Sequence, residues 1–206
     1  IFDKTFKTEL LRGATMSISF VIPMFNEEKN IRACIESIIS EMENDDILVV
    51  VDNGSTDMSP EICKQYDKVK LLHMPNRTIG ALRNSGANCS NSELVAFIDA
   101  DCVILKGWRE NVVRTINSDG VAAVGSRIMI PPNANMIEKA WYSQRNYKIS
   151  RVKYINSGNL VVKRHVFEQL GGFNEGLITG EDTELGWRIN KAGYVMIDDP
   201  SIQCVH

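Results

Sequence analysis

No apolar run in this chain approaches the ~20 residues needed to cross a bilayer, and no signal-peptide pattern is visible in its first residues. Cysteine is sparse and unpatterned. Cys34, Cys63, Cys89, Cys102 and Cys204 are odd in number and show no CxxC or other zinc spacing. They read as reduced, mostly buried thiols of a cytoplasmic protein. An excess of positive charge is missing as well. A net charge of −3 argues against nucleic acid as the main partner, because nucleic-acid recognition leaves a basic footprint. There is no GxGxxG fingerprint and no GxxxxGK[ST] loop. Internal repeats and low-complexity segments are also absent.

What is present fits one domain. The chain has 206 residues, of which 44% are hydrophobic, enough for a sizeable core. Residues 1–15 are mixed in charge and stand apart as a tail, a remnant or an amphipathic segment. From Met16 the pattern is regular. Apolar strands are expected at Ser17–Ile22, Ile47–Val51, Val69–Leu72, Leu94–Ile98 and Val121–Gly125. Between them fall helices: the periodic residues Ile31, Cys34, Ile35, Ile38, Ile39 and Met42, then Glu61–Tyr66, Ile79–Asn88 and Trp108–Ile116. Strands alternating with helices imply a mostly parallel sheet with right-handed crossovers. After Gly125 the rhythm changes. A loop at Pro131–Asn135, an aromatic-rich helix at Met136–Tyr147, a strand at Asn159–Lys163, a Gly171-Gly172 turn and a helix at Thr183–Ala192 suggest a smaller α+β lobe on the same sheet. The division expected is residues 16–125 for a nucleotide and 126–206 for a second substrate. The chain stops at His206, straight after an apolar, strand-like stretch, as though a longer natural protein continues.

Acidic residues recur at the ends of the strands. Asp99-Ala100-Asp101 follows Leu94–Ile98. In an α/β sheet, ligands bind just beyond the carboxyl ends of the strands. In extended backbone the two carboxylates share a face, roughly 6.5–7 Å apart, which suits a hard divalent cation and a diphosphate. The alternative is a turn whose Asp residues bond their own backbone. Asp52 ends the second strand, before Asn53-Gly54-Ser55-Thr56-Asp57. There Asn53-Gly54 signals a turn and Asp57 a helix cap. Pro23-Met24-Phe25-Asn26-Glu27-Glu28 ends the first strand, with Asn26 as a candidate helix cap. Arg77 and Arg83 flank Gly80, and a cation there suits a diphosphate. Glu181-Asp182 opens the last helix. Adjacent side chains diverge, so one of the two acids can serve as a base while the other orients it. Glu184 and Arg188 are spaced for an i,i+4 pair.

In their order, these segments resemble the inverting family-2 glycosyltransferases of the GT-A fold. The carriers are Val21–Glu27, Val51–Asp57, Ala81–Gly86, Phe97–Asp101, Gly158-Asn159, Phe167–Phe173 and Glu181-Asp182, which together run through nearly all of residues 17–206. The resemblance implies a Rossmann-like, mostly parallel twisted sheet flanked by helices. It also implies transfer of a sugar from a nucleoside diphosphate to an acceptor hydroxyl, with inversion. Pro23, Asn26 and Glu27 would then line base and ribose, and Asp52 would bond the base, usually uracil. Asp99, Ala100 and Asp101 would flank ribose, sugar and a Mn²⁺ or Mg²⁺ ion, with Asp101 the direct ligand. Asp182 would be the general base. His206 stands where relatives carry a histidine near metal or diphosphate. Gly158, Asn159 and Glu181 would face the sugar or acceptor. Trp141, Tyr142 and Trp187 suit stacking on sugar faces, against the commoner fate of core packing. The acceptor stays open among a glycan, a lipid-linked glycan and a small molecule, as do peripheral association with the cytoplasmic face of a membrane and the oligomeric state. A sugar nucleotidyltransferase is the competing enzyme class, but the first loop is acidic and lacks glycine. A non-catalytic nucleotide-sugar-binding module is the other alternative.

Overall fold

Buried β-branched strands organise the chain. The computed structural model describes residues 16–126 and 148–206. The segment 1–15, the expected loop at 131–135 and the expected helix at 136–147, with Trp141 and Tyr142, lie outside the described residues. In chain order the elements are β1 (Ile18–Met24), α1 (Ile31–Glu41), β2 (Ile47–Asp52), α2 (Ser59–Cys63), β3 (Val69–His73), α3 (Ile79–Ala87), β4 (Leu94–Ile98), β5 (Val103–Ile104), α4 (Trp108–Ile116), β6 (Val121–Gly125), β7 (Ser150–Val152), β8 (Asn159–Lys163), α5 (Arg164–Gln169), α6 (Glu181–Lys191), β9 (Val195–Asp198) and β10 (Cys204–Val205). Among the described residues no helix is long and apolar enough to cross a membrane.

The large sheet has eight strands in the order β3-β2-β1-β4-β8-β6-β9-β7. Strands β1 to β4, β6 and β9 run one way, whereas β8 and β7 are antiparallel to their neighbours. The chain runs outward from β1 to β2 and β3, then returns to lay β4 on the other side of β1. That reversal opens a crevice at the carboxyl ends of β1 and β4, the usual ligand site of such sheets. The strands after residue 126 enter the same sheet, and β8 pairs directly with β4. Strand β8 also brings its first residue, Asn159, opposite Ile98 at the end of β4.

Helices cover both faces, which explains the unbroken apolar runs. Alternate residues of each strand go to opposite sides. Ile18, Phe20 and Ile22 join Leu48, Val50 and Ala96 beneath α1 and α4, where Ile31, Ile35, Trp108 and Val112 are buried. Val21, Val49, Val51 and Phe97 face α3 and α6, with Leu82, Leu185 and Ile189. On that second side Phe97, Phe167 and Phe173 form a ring cluster with centroids 4.9 to 5.7 Å apart. The helix expected at 61–66 lies earlier, at Ser59–Cys63, because Pro60 occupies its first turn. The last helix begins at Glu181 rather than Thr183. Its acids fill the first turn while Arg188 and Lys191 fill the last, complementary to the helix dipole.

Helix α3 lies very close to the sheet. A Cβ at Gly86 would stand 2.3 Å from Val21 Cγ1 and 3.1 Å from Val51 Cγ2. Overfilling a core contact costs about 1–3 kcal/mol, more than the helix propensity that alanine returns, at most about 1 kcal/mol. Gly86→Ala is therefore expected to lower the thermal midpoint by roughly 2–8 °C. A midpoint equal to or above the parent's in calorimetry would show that the α3–β1 contact yields freely.

Candidate active site

The crevice at the ends of β1 and β4 holds a cleft of about 350 Å³. Of the residues singled out in the sequence, Pro23, Glu27, Arg83, Asp99, Ala100 and Asp101 line it. Met24, Phe25, Asn53, Ile79 and Leu82 also line it; the sequence pointed to Asn53 only as a turn residue and gave the other four no site role. Phe25 carried a signal, being an apolar residue inside a polar loop, and it is 55% exposed.

The floor is made by two loops stitched together. Asn26 adopts a left-handed φ of 56°, a conformation asparagine tolerates better than most residues. Its Oδ1 accepts from the Thr56 N–H at 2.8 Å, and its own N–H donates to Ser55 Oγ. Asn26 is therefore not a helix cap. Helix α1 begins at Ile31, and its N-cap position is held by Asn30, with no side-chain cap bond. Glu27 N–H donates to Ser59 Oγ, Glu28 N–H to Asp57 Oδ2, and Met58 N–H to Glu28 Oε2. Asp57 thus serves both loops, and its Oδ1 also accepts from the Ser59 N–H at the start of α2.

Asp52 is buried behind this floor. Its Oδ1 accepts from Ser55 N–H and its Oδ2 meets His73 Nδ1 at 2.9 Å. Burial works to raise the pKa of this carboxyl. The Ser55 and His73 hydrogen bonds outweigh it and hold the group below the usual carboxylate value. Nothing in the sequence pattern pointed to His73. Asn53 and Arg77 join the β2 and β3 loops: the Arg77 N–H donates to Asn53 Oδ1, while the Arg77 side chain is exposed.

At the end of β4 the backbone does not stay extended. Asp99 C=O accepts from Cys102 N–H at 3.0 Å, closing a turn. The two carboxylates therefore do not lie on one strand face, and they do not bond their own backbone either. Each reaches a distant partner. Asp99 Oδ1 accepts from Arg83 Nη2 at 2.7 Å. Asp101 Oδ2 lies 2.7 Å from His206 Nε2. His206 is carried there by a two-stranded antiparallel ribbon, β5 with β10, in which Val205 pairs with Val103. Ala100 is buried between the acids, in the core beneath α1.

Arg83 was expected to face a diphosphate. It lines the cleft but is itself buried. Its Nη1 donates to Glu181 Oε1 at 2.6 Å while its Nη2 holds Asp99. Glu181 points inward from the first residue of α6, and Ser157 Oγ lies 3.5 Å from it. Asp182 diverges from it, half-buried, and accepts from its neighbour Thr183 N–H at 2.6 Å. Arg188 clamps the other side of α6, bonding Glu184 and the carbonyls of Leu170 and Gly172.

The remaining candidates divide. Gly158 C=O accepts from Asp99 N–H at 3.4 Å, a backbone contact between β8 and the acidic turn. Asn159 is fully buried, with its amide committed on both sides. Oδ1 accepts from Trp108 Nε1, and Nδ2 donates to Ser126 Oγ and Ile202 C=O. It sits behind the cleft and ties β8 to the segment leading to β10 and His206. Trp187 is 58% exposed rather than packed in the core, with Lys191 Nζ 4.6 Å from its ring centroid. The five cysteines are free. Burial pushes the Cys34 thiol up, and a hydrogen bond with the Cys204 thiol together with burial pushes up that of Cys102, so neither is poised as a nucleophile.

The profile of Glycosyl transferase family 2 matches residues 19–169. Among curated relatives, glycosyltransferase AglE of Haloferax volcanii is 33% identical over 189 residues, covering 86% of this chain and 62% of the relative. Among solved structures, a mannosyltransferase of Pyrobaculum calidifontis in complex with GDP-Man and Mn²⁺ superposes with a TM-score of 0.75 at 21% identity. That match covers 92% of this chain and 56% of that one. GalNAc-T7 with UDP, GalNAc and Mn²⁺ superposes at 0.77 and 16% identity, over 94% and 44%. The chain thus spans less than two thirds of each of these proteins. The superpositions show the GT-A glycosyltransferase fold, and the profile match over most of the sequence shows the lineage: the chain belongs to glycosyl transferase family 2.

Proposed function

We propose that this chain carries the catalytic site of an inverting, metal-dependent glycosyltransferase that uses a nucleoside-diphosphate sugar, with UDP as the nucleotide. The observation that carries the reading is the acidic Asp99–Asp101 turn lining the crevice, with Asp52 beneath its floor and Glu181, the neighbour of Asp182, joined to the turn through Arg83. Strand-end carboxylates without a phosphate-binding glycine loop suit a donor held through a cation. Residues 16–125 would hold the donor and residues 126–206 the acceptor, whose hydroxyl belongs to a glycan, a lipid-linked glycan or a small molecule.

The donor set fits a divalent ion. Asp101 Oδ2 and His206 Nε2 converge within 2.7 Å, and both side chains keep open surface, 32% and 62%. One carboxylate and one imidazole suit Mn²⁺ at least as well as Mg²⁺. No group of three or more such side chains is assembled among the described residues, so diphosphate and water oxygens would complete the shell. When bound, the ion supplies Lewis-acid neutralisation of charge on the departing diphosphate. The site then needs no second carboxylic acid to protonate the leaving group, as a glycosidase does.

The chain's own residues supply the rest. Phe25, Pro23 and Glu27 line the base and ribose end of the cleft. Asp52, kept anionic by Ser55 and His73, favours a base that presents an N–H. Trp187 offers a ring face to a sugar. Asp182 takes the proton of the acceptor hydroxyl as it attacks, which requires hydrogen-bond reach in the assembled complex. In-line attack opposite the leaving diphosphate inverts the anomeric carbon. Incubation with UDP- and GDP-sugars, Mn²⁺ and an acceptor panel tests this. Release of UDP with an inverted product by NMR is expected. Release of pyrophosphate, or tight binding without turnover across the panel, would overturn it.

A further inference from the structure

A cation buried between two carboxylates of distant sequence origin is the least expected feature of the cleft. Arg83 is 3% exposed. Its Nη2 holds Asp99, 16 residues away, and its Nη1 holds Glu181, 98 residues away. Its Nε–H has no hydrogen-bond partner among the described residues, so those two contacts constitute its polar anchoring. The Phe173 ring stands beside it, with the guanidinium carbon 5.6 Å from the centroid. A guanidinium is suited to this task because its fork is planar and rigid, so the two acids it bonds are fixed relative to one another.

The two acids belong to different parts of the proposed reaction. Asp99 opens the turn that carries Asp101. Glu181 is the first residue of α6, and the next residue is Asp182. Gly180, with a φ of 78°, precedes Glu181, and its own side offers no clamp, since a Cβ there would meet nothing within 4 Å. Glu184 and Arg188 fix the far side of the helix. The Arg83–Glu181 bond therefore supplies the polar clamp on the cleft side of the first turn. Pairing with Asp99 has a second effect: that carboxylate is engaged, which leaves Asp101 to face His206.

We infer that Arg83 is a positioning residue that sets, through Glu181, where the Asp182 carboxylate stands relative to a donor bound at the Asp99–Asp101 turn. The inference rests on the reading of Asp182 as the base. A misplacement of about 1 Å in such a group costs on the order of 100-fold in rate, and it does so without loosening the donor.

The test is a double-substitution cycle with Arg83→Met and Glu181→Leu in the whole chain. It reads kcat, the affinity for UDP with Mn²⁺ by calorimetry, and the thermal midpoint. Glu181→Leu leaves the Arg83–Asp99 pair in place. It is expected to lower kcat about 100-fold with UDP–Mn²⁺ affinity held within about threefold. Apolar replacement of both members of a buried pair often restores stability, so the double variant is expected to melt close to the parent. Its kcat is expected to stay as low as in the worse single variant. Recovery of kcat along with the midpoint would reduce Arg83 to a structural staple and overturn the inference. Loss of UDP–Mn²⁺ affinity in step with kcat in Glu181→Leu would overturn it too, by moving Glu181 to donor binding. If Arg83→Met does not fold, Arg83→Lys takes its place. It keeps one of the two contacts and is expected to lose about tenfold in kcat with donor affinity retained. Parental kcat in the folded Lys variant counts against the inference. Asp182→Asn run in parallel separates the two readings: turnover retained there removes the base, whereas kcat recovering in the double variant removes only the positioning role.

Discussion

Asp182→Asn is expected to lower kcat by about 10³-fold while leaving UDP affinity unchanged, because a general base contributes about 10²–10⁴. The substitution is nearly isosteric and preserves the side-chain oxygen that accepts from Thr183 N–H. Helix α6 should therefore keep its first turn, with Glu181 still on Arg83. What is lost is the capacity to accept a proton. Donor binding is separated from this residue by geometry. Asp182 is not among the residues that line the cleft at the Asp99–Asp101 turn, so UDP has no direct contact to lose. Initial rates with saturating donor, together with calorimetric titration of UDP in the presence of Mn²⁺, check both halves. Retention of more than about a tenth of the parental kcat would remove Asp182 from the role, since even a weak base supplies more than that. An equal fall in UDP affinity would place Asp182 on the donor side instead.

Much of the framework was legible beforehand because it rests on local pattern. Leu94–Ile98, Trp108–Ile116, Val121–Gly125 and Asn159–Lys163 begin and end where the runs of apolar and periodic residues do. The Glu184–Arg188 pair followed from helical spacing alone. The strand-like stretch before His206 was legible, but the pairing of elements too short to display a period was not. Strands β5 and β10 have two residues each, yet that ribbon is what brings His206 to Asp101. Helix α5, six residues directly after β8, is too short to display a helical period.

The site was legible by residue type and much less so by role. Asp99 and Asp101 were rightly singled out, but their geometry depended on a turn that extended-strand reasoning could not foresee. Asn26 and Asp57 looked like helix caps because such residues favour caps, and Asp57 does serve the start of α2. Asn26 instead bonds a second loop 30 residues away. Arg83 looked like a phosphate ligand because nothing in the chain reveals a carboxylate 98 residues on. Asn159 belongs to the same class. Its partners Trp108, Ser126 and Ile202 come together only once the sheet has closed. Long-range polar partners are set by topology, and sequence spacing carries no information about them.

Asp101→Ala is expected to abolish the increase in UDP affinity that Mn²⁺ produces and to lower kcat by about 10²–10³, the rate equivalent of several kcal/mol of charge stabilisation. The carboxylate is one of two protein donors at the proposed metal position, and its side chain is about one-third exposed. Truncation leaves no buried hole, so the thermal midpoint should stay within about 2 °C of the parent, as for most surface substitutions. Asp99 cannot replace it cheaply, because its Oδ1 is held by the buried Arg83 at 2.7 Å. His206→Ala should show the same loss in weaker form, since an imidazole contributes no formal charge to offset the ion. The contrast is measurable as UDP titrations with Mn²⁺ and with EDTA for the parent and both variants. In the parent, Mn²⁺ should tighten UDP by about tenfold or more, which is about 1.4 kcal/mol. An Asp101→Ala variant that retains that enhancement would show that the cation, and with it the leaving diphosphate, is held elsewhere in the cleft. Loss of UDP binding in EDTA as well would show that Asp101 contacts the nucleotide directly rather than through an ion.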